Sequence, residues 1–499
     1  MSAVGAAPRS AAAAAAMDVA TGACMYYAGE EAVFMDADTL CYQCGNSVKF
    51  LNVKTGKENF LGGVSYGISQ VVCSPTAGLV VYADAGMSPN ICLYSYPRLR
   101  PVGTLSGAAE LSFDAIAISR DGTSIAAVSG SPDLVVTVWT GGPDWAEPVV
   151  AAVAPLPLGA VSLKFNPLDA TELCCFADGK VSLFKLESSG SKATLESWSP
   201  MPEDAMEEEI TSYGWAPSSK LLVGTASGAV QSLDLSAHEP GQTLAQTTLC
   251  APSGVAATSI SATKENVVVG YADGSLEWAV ESGGDPLRSQ VAAAQVACIA
   301  PTPDFGSLWV GMTDGSLSQV TKSAEGEVEV VAAYSFNASP VLSTDTLHWK
   351  GKAFVVTVSA DGCLRVWDTA TGKLAGSHSS AGSAELTSLA ICSVTGLAAV
   401  GNSAGSVRLL DLTNPAAITT IYRGRLHTGA TAHVSFSPDG SVLASAGADG
   451  RLFFMDAAGA ASFGMLGYYT LPALASCICW RVGQVSAAGG HSQCYYVLL

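Results

Sequence analysis

The sequence predicts an all-β chain built as a propeller of four-stranded blades, with one complete seven-bladed ring and the start of a second. Three observations predict it. A phrase formed by an Asp-Gly turn, alternating apolar residues and a closing Trp-Asp is fullest at residues 359–368 and recurs in weaker copies along the chain. The copies repeat at about 40–45 residues, the length of one WD40-type blade. Ahead of each copy stands a second hairpin phrase, best written at Phe436-Ser437-Pro438-Asp439-Gly440 before Val442-Leu443-Ala444-Ser445.

The turns follow one another at Asn46, Asn90, Asp133, Asp178, Ser227-Gly228, Asp273, Asp314, Asp361, Ala404-Gly405 and Asp449. Their spacings are 44, 43, 45, 49, 46, 41, 47, 43 and 45, with none missing and none doubled. After each turn comes a strand phrase, from Val48-Lys49-Phe50 through Leu364-Arg365-Val366-Trp367 to Leu452-Phe453-Phe454. A last, poor copy runs from His491 to Val497. Ile116-Ala117-Ile118 and Ile125-Ala126-Ala127-Val128 flank Asp121-Gly122 in the same way as the later hairpin. Glycine permits the positive φ such corners need, and proline pre-sets the negative one. A β-sandwich would show turn signals every 8–12 residues but no phrase repeating near 45.

Seven turns, Asn46 to Asp314, fill a seven-bladed propeller over residues 21–335. The copies from Asp361 onward place further blades in 336–499, expected to be an incomplete second propeller, because an arc of three or four blades leaves sheet faces and edges uncovered. Residues 1–20 read as a disordered alanine-rich tail. Asp133, Asp178, Asp273, Asp314, Asp361, Trp367 and Asp449 are expected to be structural residues of the blade turns, and His427 to hydrogen-bond Asp449 of its own blade.

Charged residues make up 13% of the chain and the formal net charge is −19. A phosphate-backbone binder needs a lysine and arginine surface, so nucleic acid is excluded as a partner. No apolar run approaches a membrane span and no polybasic segment would hold an anionic bilayer, so no membrane partner is expected. Fourteen cysteines are scattered through apolar strand phrases, as expected of free, buried thiols. Cys41 and Cys44 have metal or redox spacing without the further ligands or the βαβ context either use requires, and strand alternation accounts for them. The six histidines form no Ser-His-Asp order, and neither a zinc-binding helix motif nor a phosphate-cradling loop is present. No catalytic residue, cofactor or metal is expected, and the chain is read as non-enzymatic.

Three features are candidate contact surfaces. Trp145 sits on a loop, where it is either an exposed anchor for a partner or packed on the neighbouring blade. Glu207, Glu208 and Glu209, with Glu203 and Asp204 before them, form an acidic run in the insertion that stretches one spacing to 49. Its two readings are a site for a basic partner and a solvated loop. Arg423 and Arg425 resemble the paired arginines of lipid-reading propellers, but Gly424 separates residues that such motifs keep adjacent.

Residues 88–139 and 417–469, together with Ser162-Leu163-Lys164-Phe165-Asn166-Pro167-Leu168, resemble the amino-terminal propeller part of the cilia- and flagella-associated protein 43 family. A sister protein of the same complex shares the Asn-Ile-x-x-Tyr and Pro-Asp-x-x-x-Thr-Val-Trp phrases. The resemblance implies a scaffold of the ciliary or flagellar axoneme, in a tether that holds inner-arm dynein motor domains to the doublet microtubule. It implies as partners the sister WD-repeat tether protein and inner-arm dynein, and a location in the cytoplasm and axoneme. It carries no active site to transfer. The long coiled coils of that family have no counterpart up to Leu499. The alternative is a cytoplasmic WD-repeat adaptor of another complex.

Overall fold

The computed structural model describes residues 27–498 apart from 28, 30, 63–66, 143, 157–161, 190–191, 201–207, 236–245, 263–265, 281–285, 324–325, 380–383, 459–462, 476 and 482–493. Four consecutive antiparallel strands make each of ten sheets, and the hydrogen-bonded order in every sheet is the chain order. These blades cover residues 32–61, 68–105, 113–155, 162–198, 210–250, 257–290 and 296–335, then 341–379, 386–425 and 431–470. A two-stranded sheet, Cys477–Arg481 with Cys494–Leu498, follows. All ten predicted turns lie between the second and third strands of successive blades. The eleventh, at His491, falls outside the described residues, although the strand expected after it is present.

Blade stacking explains the composition. A second strand is covered on both faces by neighbouring blades, so it reads as a nearly unbroken run of small apolar residues rather than an alternation. Leu79–Asp84, Ser124–Ser129 and Asn266–Tyr271 are such strands, and each has at least five buried residues. Fourth strands lie at the rim and alternate, as in Val149–Pro155.

Each sheet of the ring is built from four consecutive strands, and apolar packing between sheets, with the contacts of Tyr27, closes it. The first seven blades share seven apolar seams: Phe50 with Val80 between blades one and two, Leu93 with Ile125 between two and three, and Val138 with Leu173 between three and four. The series continues through Val181 with Leu221, Val230 with Val267, and Val268 with Val310. The seventh seam joins Trp309, Leu317 and Phe336 of the last blade to Phe34, Leu40 and Tyr42 of the first. Tyr27 locks it: its amide donates to the Asn337 carbonyl at 3.0 Å and its hydroxyl lies 2.9 Å from Cys298 Sγ. Gly311 is needed here, since a Cβ at that position would enter the Tyr27 ring.

Beyond the ring, blades eight to ten share two seams, around Leu364 with Ala398 and Leu409 with Leu443. A smaller cluster of Leu452, Ala475 and Ile478 covers part of blade ten with the final hairpin. Arg365 of blade eight donates to the Asp314 carbonyl of blade seven at 3.1 Å.

Candidate interaction surfaces

The innermost strands of all seven blades, from Val33 to Ile299, surround a central channel of about 590 Å³. Two charged side chains line it. Lys164, on the first strand of blade four, reaches Glu31 at 3.3 Å and lies 5.5 Å from the Tyr213 ring centre. Tyr213 in turn donates to Ser162 Oγ at 2.9 Å. The carboxylate of Glu31 raises the Lys164 pKa against the opposing effect of burial, which keeps the ammonium charged. The pair is internally neutral, and among the described residues no second acid lines the channel beside it to make a general acid–base couple. Residues 133 apart in sequence meet there only because the ring closes, so neither strand alone announces the pair.

The predicted turn residues hold their own hairpins. Asp273 Oδ1 accepts from the Ser275 amide and hydroxyl, and Asp314 Oδ1 does the same for Ser316. Asp178 occupies the left-handed region at φ 47°, and Asp133 accepts from the Glu110 amide at 2.8 Å. Asp361 binds Arg365 at 2.8 Å and accepts from Ser359, while Trp367 donates to Thr357 at 3.0 Å in the same blade. His427 Nδ1 lies 3.0 Å from Asp449, its Nε2 2.8 Å from Ser445 Oγ, and Phe453 packs edge-on against its ring. The carboxylates of Asp273, Asp314, Asp361 and Asp449 are thus engaged within their own blades, and that of Asp133 ties its turn to the Glu110 loop.

Two contact candidates are placed by the structure. Trp145 is 1% exposed in the seam between blades two and three, and its indole donates to the Gly122 carbonyl at 2.9 Å. The exposed-anchor reading is therefore corrected: the ring folds back over Gly141 and fills a slot between blades, which position on a loop could not reveal. Glu208 and Glu209 are exposed. Glu208 accepts from Ser227 at 2.6 Å, a bond that lowers its pKa, and the Glu209 carbonyl accepts from the Ala226 amide. Glu207 lies outside the described residues, as do Glu203 and Asp204. Cys41 and Cys44 face opposite sides of their strand, toward blades two and seven. No group of three potential metal ligands occurs among the described residues, and no described helix is long and apolar enough to cross a membrane.

The hairpins carrying His427, Asp449 and Phe453 are the part of the chain that matches a family profile, the WD domain, G-beta repeat, over residues 419–456. The chain is a WD-repeat β-propeller protein. It is 23% identical to cilia- and flagella-associated protein 43 of Xenopus laevis over 88% of its own length and 30% of that protein's. With cilia- and flagella-associated protein 43 of Chlamydomonas reinhardtii it shares 26% identity over 96% of its length and 34% of the relative's. Mouse cilia- and flagella-associated protein 44 matches at 22% identity over 85% of the chain and 24% of the relative. The chain thus spans about a third or less of the curated relatives it matches. Several of the proteins it is similar to are thus named for cilia and flagella.

Proposed function

We propose that this chain is a non-enzymatic scaffold of the ciliary axoneme that helps hold inner-arm dynein motor domains to the doublet microtubule, beside a sister WD-repeat subunit. The observation that supports it most is the extent of the similarity: nearly the whole chain aligns with one ciliary protein rather than one generic blade. A rigid ring whose polar residues are spent on its own hairpins, with a neutralised channel pair, suits a part whose work is positional. We further propose that residues 21–335 form one propeller unit and that 336–499 belong to a second; the tail expected over residues 1–20 lies outside the described residues. Exposed Glu208 and Glu209 remain a contact surface for a basic partner segment in this reading.

The test is affinity purification of the tagged endogenous product from isolated axonemes, followed by mass spectrometry of what accompanies it. Recovery with inner-arm dynein subunits and a second WD-repeat subunit is expected. Recovery from the soluble cytoplasm alone, with subunits of an unrelated complex, would replace the ciliary reading with that of a cytoplasmic adaptor.

A further inference from the structure

Burying a cation without a counter-ion is costly, and most buried cations in this molecule have one. Lys49, fully buried, is 2.7 Å from Glu58. Arg365, 4% exposed, binds Asp361. Arg408 departs from this pattern. It is 8% exposed, its Nε has no hydrogen-bond partner, and no described carboxylate lies within ion-pair distance of it.

The surroundings of Arg408 make the departure sharper. It sits on the third strand of blade nine, in register with Arg423 on the outermost strand, and like charges directly opposite repel. Leu410, two residues on, packs in the seam with blade eight, so alternation turns Arg408 to the same side. On the opposing blade, His378 is in register with Leu364 of that seam, and its Nε2 lies 3.1 Å from Thr420 Oγ1 of blade nine. Burial and the Arg423 charge both lower the Arg408 pKa, and burial and Arg408 lower that of His378. Arg423 and Arg425 are exposed beside it, two residues apart and therefore on one face.

We infer that the seam between blades eight and nine is an anion site, in which Arg408 and Arg423 take a carboxylate from an extended acidic segment of a protein partner. Guanidinium forks match a carboxylate, and the two facing arginines present positive charge that no described acid neutralises by an ion pair. The strand Thr419–Arg425 is the outer edge of its blade and leaves backbone groups open for an added strand. Acids at alternate positions of that strand would meet Arg423 and Arg425. A peptide side chain reaches a recessed guanidinium that the plane of a bilayer does not, Arg408 being 8% exposed. The inference rests on the scaffold reading only in taking the anion from a protein.

Fluorescence anisotropy of a labelled Glu-Thr repeat decapeptide, with a Gln-Thr peptide as control, tests it on the full chain. Arg408→Met and Arg423→Gln are each expected to weaken binding by roughly tenfold, and Arg98→Gln, at a distant exposed site, to leave it unchanged. Arg408→Met should melt at the same temperature or higher, since a buried charge without a partner has been removed; a lowered melting temperature would assign Arg408 a structural role instead. Binding that is absent, equal in all variants, or shared by the Gln-Thr peptide overturns the inference. Phosphatidylserine vesicles or inorganic phosphate binding through the same arginines while the peptide does not would overturn the protein source. Peptide binding by a chain that is missing from axonemes would sink the ciliary reading and leave this one standing.

Discussion

The seven-bladed ring and the three-blade arc behind it are built from the same repeat, yet they solve the problem of exposed sheet faces differently. In the ring each blade is covered twice, and the last seam is closed by Trp309 and Phe336 against Phe34 and Tyr42. In the arc, Val341 and Leu342 of the first blade and Met465, Leu466, Tyr468 and Tyr469 of the last are exposed. The arc also holds the histidine network and the arginine pair, whereas the buried cation of the ring's closing seam, Lys49, is held by a carboxylate. Closure gives every blade of the ring an apolar seam on both sides, and polar contacts such as Lys164 with Glu31 and Thr258 with the Val296 carbonyl reinforce those seams. In the arc, two apolar seams join blades eight to ten, and the Arg365 and His427 contacts lie beside them.

The strongest way to break this comparison is to open the ring. Tyr27→Ala removes the ring that fills the last seam, its edge-on contact with Tyr42 and the hydroxyl contact with Cys298. Truncating a large aromatic in a packed core costs about 3–5 kcal/mol. Denaturant unfolding followed by hydrogen exchange should show protection falling across residues 32–335 and unchanged across 386–470. Equal loss in both regions would mean that the seam is not what separates them.

A second substitution sharpens the contrast from the other side. Asp449→Ala leaves His427 Nδ1 and the Thr428 amide without their acceptor. Stranding a buried donor such as the His427 ring nitrogen costs about 1–3 kcal/mol. Exchange should quicken in 386–470 and not in the ring, while Asp314→Ala, which releases only the exposed hairpin bonds of Ser316, should cost less.

Fold was legible in the sequence because a blade is a local object. Asp-Gly turns, hairpins and covered second strands all lie within about 45 residues of one another. The His427 and Asp449 pair was legible for the same reason, lying within one repeat. What escaped were contacts made by closure or by neighbouring blades. Glu31 meets Lys164 across the channel, Trp145 packs into the seam with Leu93 and Leu105 of blade two, and Arg408 faces His378 across a seam. Loop position left Trp145 open between an exposed anchor and packing on the neighbouring blade; the second holds, since a tryptophan buries much apolar surface and its N–H found a carbonyl. Arg423 drew notice beside Arg425, although its telling neighbour is Arg408, fifteen residues earlier and directly opposite on the hairpin.

The smallest expected effect is one of acidity, and it too should divide the two regions. Burial lowers the His427 pKa, with the Asp449 hydrogen bond acting against it, and burial lowers that of His378. A histidine with a folded pKa below its unfolded value of about 6.5 binds more protons when unfolded. Its contribution to stability is therefore complete above that value and is lost as pH falls toward the folded pKa. The carboxylates with lowered pKa, Asp273 in the ring and Asp361 and Asp449 in the arc, lose their contributions only at still lower pH, below the ordinary aspartate value. Among the described residues the ring has no histidine. Between pH 7 and 5 the arc should lose stability and the ring should not, with a slope no steeper than about 1.4 kcal/mol per pH unit for each proton. Hydrogen exchange at matched intrinsic rates across that range reads the two regions separately. His378→Gln should reduce the slope, and a decline of equal size in residues 32–335 would show that the acid response does not come from these two rings.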